Sequence, residues 1–179
     1  MLSVGSFHNQ HLVNQVEHVA LALAHVGCLS ERRLHRLLGE DNTGLNAQLA
    51  ARPGLDAGLV VTQKASIDLA ARLRLLAQPV SLFTSESSGG QEDYMSMAIP
   101  ALTRLEEMAQ LSRAILAYEL LAGITAVRMR AQIPGDAVVA VIDYFDPLIA
   151  ALERDRSLAP DVETILEHFT HPAFTKLYS

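Results

Sequence analysis

Tryptophan is absent from the 179 residues, cysteine occurs once, and aromatic residues make up only 5%. The lone Cys28 excludes an internal disulfide framework and fits a reducing cytoplasm. Charge is sparse as well, at 19% of residues, and its balance is acidic, with a net charge of −6. No cluster of Lys and Arg interleaves with aromatics, so a nucleic-acid-binding surface has nothing to start from. The opening Met-Leu-Ser-Val-Gly-Ser-Phe-His lacks the basic region and apolar run of a secretory signal, and a cytoplasmic location is expected. The longest weakly charged stretch, Ala114 to Val127, contains Glu119 and is too short to span a bilayer comfortably. A buried helix accounts for it better, and no membrane contact is expected.

Half of the residues are apolar, with Ala and Leu supplying most of that share, and strand-type alternation is scarce. The combination predicts helices packed closely through small side chains. The expected fold is all-α, with long antiparallel helices in one bundle forming a single domain over residues 1–179. So little charge leaves a monomer under-supplied with polar surface, and a homo- or hetero-oligomer would bury the surplus.

Leu12, Val16, Val19, Leu23 and Val26 alternate spacings of four and three, a helical seam of coiled-coil type that Gly27 is expected to end. Ser30 then reads as the N-cap of a short helix carrying Leu34, Leu37 and Leu38. Residues 39–54 read as mostly loop, with room for one helical turn. A long helix is expected from about Ala57 to Ala77, ended by Pro79. Another begins near Glu92 or Asp93, bends or restarts at Pro100, and continues to about Arg130. After the break at Ile133-Pro134-Gly135, a stripe from Val138 to Leu152 predicts a helix bent by Pro147. Ala159-Pro160-Asp161 starts a last short one.

The most informative stretch for chemistry is Gln91-Glu92-Asp93, where a polar loop meets an almost wholly apolar helix. Carboxylates at a helix start are favoured by the macrodipole and satisfy orphan N–H groups. Glu119, set among apolar residues, needs a partner, and Arg130 or Arg113 of another helix is the expected one. His11, His18 and His25 recur every seven residues and share a face, but two turns separate neighbours by roughly 10 Å, too far for shared coordination. His8 and His11 are closer and lack a third ligand, so no metal site is expected.

Six stretches together resemble the aromatic amino-acid lyase family, which includes histidine, phenylalanine and tyrosine ammonia-lyases and aminomutases. Leu2-Ser3-Val4-Gly5-Ser6-Phe7-His8-Asn9 is similar to that family's Gly-Asn-Phe-His-Gly segment. Leu29-Ser30-Glu31-Arg32-Arg33 resembles its Leu-Ser-Glu-Arg-Arg, and Gly54-Leu55-Asp56-Ala57-Gly58 with Gln63 resembles its Gly-Leu-Asn-Ser-Gly with a later Gln. Gln91-Glu92-Asp93-Tyr94-Met95-Ser96-Met97 is similar to Gln-Glu-Asp-His-Val-Ser-Met. Ala114 to Glu119 and Ser157 to Asp161 complete the set, in the family's order and near its spacing. Departures stand at Ser6 and Asn9 (Asn and Gly in the family), Asp56 (Asn), Arg72 (Glu) and Gly89-Gly90 (Ala-Asn).

The resemblance covers the C-terminal portion of such an enzyme. It implies elimination of ammonia from an aromatic or histidine-like amino acid, as a lyase or an aminomutase. By the same resemblance Glu92 is the catalytic carboxylate, while Phe7 and Gln91 contact substrate. Family members form a methylidene-imidazolone electrophile from an Ala-Ser-Gly, which these 179 residues lack. No ordinary side chain activates the amine for this elimination, so a cofactor-like group carries the hard step. The implied partner is therefore an upstream-half lyase chain carrying Ala-Ser-Gly, with this chain inactive alone. A non-catalytic helical scaffold descended from the family, and a piece of a full-length lyase, are the alternatives.

Overall fold

The computed structural model describes residues 8–130, Gln132 and residues 134–178. It is helical, with no strand among the described residues and one isolated antiparallel bridge, Ser87 to Glu92. Among the described residues seven α-helices follow in order: α1 (Gln10–Leu37), α2 (Glu40–Thr43), α3 (Val60–Leu76), α4 (Ala98–Met129), α5 (Asp136–Phe145), α6 (Ala159–His168) and α7 (Pro172–Thr175). The all-α class read from the sequence is what the chain forms. Contacts divide it into two compact units.

The first unit takes the residues up to Cys28 together with Leu69–Ser112. Val13 and Val16 of α1 pack on Ala101 of α4, flanked by Val80, Ala98 and Leu105. Within this unit α1 and α4 advance together, Glu17 pairing with Arg104 and the Leu23 carbonyl accepting from Ser112 Oγ at 3.3 Å. The end of α3 runs the opposite way, with Arg72 on Glu107 and the Gln78 carbonyl on Arg104. Arg104 is buried, a costly place for a cation unless it is paired. Its Nη1 donates to the Gln78 carbonyl, and its Nη2 lies 3.9 Å from Glu17 Oε1. Glu17 in turn accepts from Ser81 N and Oγ at 2.9 and 2.8 Å.

The second unit takes Leu29–Asp68 and Arg113–Ser179. Its core joins Leu34, Leu38, Leu49, Leu59, Leu121, Ile124, Phe145, Ile149, Ile165 and Phe174, with Ala117 and Ala122 giving α4 its close contacts. Phe145 meets Phe174 edge-on at 5.3 Å between ring centroids, a favoured aromatic geometry.

Several boundaries differ from the sequence reading, each for a local reason. Gly27 does not end α1, which runs unbroken to Leu37. One interior glycine costs about 1 kcal/mol relative to alanine, and burial of Leu34 beyond it offsets that. The buried face of α1 is Val13, Val16, Ala20 and Ala24, while Leu12, Val19 and Val26 of the expected seam are exposed. α4 starts at Ala98, not near Glu92, because residues 84–95 are tied into a hairpin described below. Pro100 consequently falls in the first turn, where its missing N–H has no partner to lose, and the helix is continuous from there to Met129. α5 ends at Phe145, since Pro147 cannot donate back into the helix. By length and composition α1 is apolar enough to cross a bilayer, a test that core helices also pass.

Gly58 closes the entrance to α3. It sits at φ +59°, and a Cβ there would lie 2.4 Å from the Gln48 carbonyl oxygen and 2.9 Å from Ala50 N. Left-handed strain and overpacking then add, so Gly58→Ala is expected to cost roughly 2–5 kcal/mol. Gly44→Ala, at φ +66° in open space, should cost only about 1–2 kcal/mol. Urea unfolding midpoints of the two variants check the difference.

Candidate functional site

Four of the six motif stretches are spent within the second unit. Glu119 of α4 accepts from Ser30 Oγ at 2.6 Å and from Arg33, whose Nη2 lies at 2.8 Å. This corrects the expected pairing. Arg113 instead donates to the Leu166 carbonyl at 3.0 Å, and Arg130 to the Thr43 carbonyl at 3.3 Å. Helical geometry gives the reason: Arg113, six residues back, projects about 120° away from Glu119, and Arg130 lies roughly 16 Å along the axis. The hydrogen bonds to Glu119 raise the Arg33 pKa further, against the opposing effect of burial.

The remaining scaffold motifs meet in the same manner. Asp155 accepts from the backbone N–H groups of Ala57 and Gly58 at 2.8 and 3.0 Å. Arg156 donates to the buried Asp161 at 2.6 Å. Gln63 contacts His35 Nδ1. Arg52 holds Asp56 through two bonds of 2.8 and 2.7 Å, which pull the Asp56 carboxyl below its ordinary range.

The two remaining motifs meet in the first unit, at a shallow pocket of about 400 Å³. His8 and Asn9 line it from the Phe-His stretch, and Glu92, Tyr94, Ser96 and Met97 from the Gln-Glu-Asp stretch. Asn9 adopts φ +54°, and its carbonyl accepts the first α1 amides, from Leu12 and Val13 at 3.1 and 3.2 Å. Asparagine is among the few non-glycine residues that tolerate this region, so Asn9 holds the left-handed turn at little cost.

Glu92 sits on a hairpin whose tip, Ser88-Gly89-Gly90, runs through three left-handed residues at φ +55°, +67° and +85°. Two glycines there remove most of the Cβ penalty. The tip brings Ser87 and Glu92 opposite each other. Ser87 N–H donates to the Glu92 carbonyl at 2.7 Å, Glu92 N–H to the Ser87 carbonyl at 3.3 Å, and Ser87 Oγ to Glu92 Oε2 at 2.8 Å. Met95 N–H donates to Thr84 Oγ1 at 2.9 Å and closes the far end. Glu92 therefore stands on an extended segment six residues before α4, and a helix N-terminus does not supply its setting.

Gln91 is an exposed residue of the hairpin turn and does not line the pocket. Phe7 lies outside the described residues. Tyr94 and Ser87 are site neighbours that sequence reasoning did not single out, and His8 was weighed there only as a metal ligand; the signal for Tyr94 was its replacement of the motif's histidine. Along α1, His11, His18 and His25 are exposed. Among the described residues no group of three or more His, Cys, Asp or Glu is placed to hold a metal ion. Larger hollows of about 540 and 720 Å³ lie in the second unit, but Asp155, Arg156, Arg113 and Glu119 beside them are committed to the scaffold bonds above.

Two outcomes follow from these bonds. Glu119→Ala leaves the fully buried Ser30 hydroxyl without an acceptor, a loss of about 1–3 kcal/mol. Arg33→Ala, at a side chain 57% exposed, should cost under about 1 kcal/mol; urea denaturation distinguishes them. Asp56 titrates below its unfolded value of about 3.9, so its contribution to stability is present above that pH and lost as pH falls through the folded value. Arg52→Gln is expected to return the Asp56 midpoint upward in an NMR titration and to remove that acid-side loss.

Comparison with known proteins places these motifs. The family model for aromatic amino acid lyases matches residues 1–146. Histidine ammonia-lyase of Desulfotalea psychrophila is 33% identical over 180 residues, covering 100% of this chain and 35% of that protein. The Myxococcus xanthus enzyme of the same name is 31% identical over 166 residues, covering 92% and 33%. Among solved structures, histidine ammonia-lyase from Trypanosoma cruzi has a TM-score of 0.93 at 22% identity, covering 98% of this chain and 35% of that one. Tyrosine aminomutase from Streptomyces globisporus has a TM-score of 0.88 at 27%, covering 97% and 34%. The chain thus spans about a third of the length of the curated relatives it matches. With the family model spanning most of its residues and these relatives aligned along nearly all of it, the chain belongs to the aromatic amino acid lyase family.

Proposed function

We propose that these residues form the C-terminal part of an ammonia-lyase or aminomutase acting on a histidine-like or aromatic amino acid, with Glu92 as its working carboxylate. The meeting of the Phe-His and Gln-Glu-Asp stretches at one pocket carries this reading. The names of the relatives incline it toward histidine.

The residues lining the pocket do not generate a methylidene-imidazolone group, since no Ala-Ser-Gly occurs in these 179 residues. What they fit is a wall beside it. The group, carried by a partner chain, supplies the electrophile that activates the amine. Glu92, exposed at the pocket edge, accepts a hydrogen bond from the substrate ammonium and relays a proton. Phe7 is carried as a substrate contact by the resemblance, whereas Gln91, outside the pocket lining, belongs to the turn that holds Glu92 in place. A competing reading, a non-catalytic scaffold, draws on the four motif stretches that serve only bonds within the second unit.

The test is co-expression with an upstream lyase half carrying Ala-Ser-Gly, followed by assay of arylacrylate release from histidine, phenylalanine and tyrosine. Association and turnover are expected only with both parts present, and Glu92→Gln should lower kcat by about 10²–10⁴-fold. A mixture that neither associates nor turns over any of the three substrates, or a Glu92→Gln variant of unchanged activity, overturns the reading.

A further inference from the structure

We propose that Ser87 is the positioning residue for Glu92, fixing which carboxylate oxygen faces the pocket; this rests on the role proposed for Glu92 above. A glutamate on an exposed hairpin has three side-chain torsions to immobilise before its carboxylate can meet a substrate, and its own backbone fixes none of them. Ser87 supplies the constraint. Its hydroxyl has one proton to give and donates it to Glu92 Oε2 at 2.8 Å.

Oε1 takes no donor from the described residues and is left to the pocket that Glu92 lines. The donor is itself held. Ser87 and Glu92 exchange backbone hydrogen bonds in both directions, and the left-handed tip sets that register. Hydroxyl and carboxylate are therefore presented to each other from a fixed frame, and loss of the hydroxyl leaves the frame intact. The Ser88-Gly89-Gly90 tip belongs to the same device, because a residue that straightens it separates the pair.

Two measurements test this. In the chain alone, NMR three-bond couplings should report one dominant Glu92 χ1 rotamer, averaging in Ser87→Ala and retained in Ser87→Thr. In the reconstituted enzyme, Ser87→Ala and Ser87→Cys should lower kcat about 10- to 100-fold, the scale of a misplaced catalytic group, and Ser87→Thr should restore it. In a Glu92→Gln background Ser87→Ala should cost nothing further. Rotamer averaging in the parent chain, a Ser87→Thr variant as impaired as Ser87→Ala, or an equal loss in the Glu92→Gln background overturns the positioning role. Unchanged activity in Glu92→Gln alone would instead overturn the functional reading on which it rests. Should Ser87→Ala fail to fold, Ser87→Cys, which keeps the volume and weakens the donor, decides the question.

Discussion

A carboxylate set in an apolar stretch of helix constrains everything packed around it. Glu119 is half-buried in the second unit and needs donors there, and those it meets, Ser30 and Arg33, lie three residues apart on one face of α1. A slip of one residue along either helix would strand Ser30, whose side chain has no exposure to water. Hydrophobic packing of Leu34, Leu121 and Ile124 tolerates small shifts; this polar contact does not. It fixes a single alignment of the two helices there, and the surrounding apolar side chains then pack against one geometry.

The same logic separates the motifs by physical role. Those of the second unit satisfy buried or loop backbone groups: Asp155 on the amides of Ala57 and Gly58, Arg156 on Asp161, Arg52 on Asp56. Those of the first unit enclose space and present polar atoms to it. The proposed chemistry draws on the second kind alone. Asn9 illustrates how a departure from the family pattern can be neutral for geometry, since its left-handed backbone is one that asparagine adopts with little strain.

Helical class and most helix positions were legible in the sequence because apolar spacing reports which residues leave water. The seam Leu12, Val19 and Val26 was misplaced for a reason the spacing cannot reveal. Alanines at positions 20 and 24 join Val13 and Val16 on the buried face, so the face is rotated away from Leu12, Val19 and Val26, which stay exposed. Gly27 and Ser30 read as a helix end and start because their local preferences favour it, and tertiary contacts overrode both. The candidate carboxylate was legible from its motif, yet its setting was not. Nothing in the composition of residues 84–95 announces that Ser87 and Glu92 pair across a turn, because the pairing depends on three consecutive left-handed residues.

Pro100 has a consequence beyond its own turn. Were α4 to wind backward through Met97 toward Glu92, the pyrrolidine ring would collide with the Ser96 carbonyl, and no amide hydrogen would be available to bond it. The ring is thus a one-way barrier, allowing the helix to grow toward Met129 and barring its spread into the hairpin. An extended, pocket-lining segment can in this way border a very long helix without being absorbed by it.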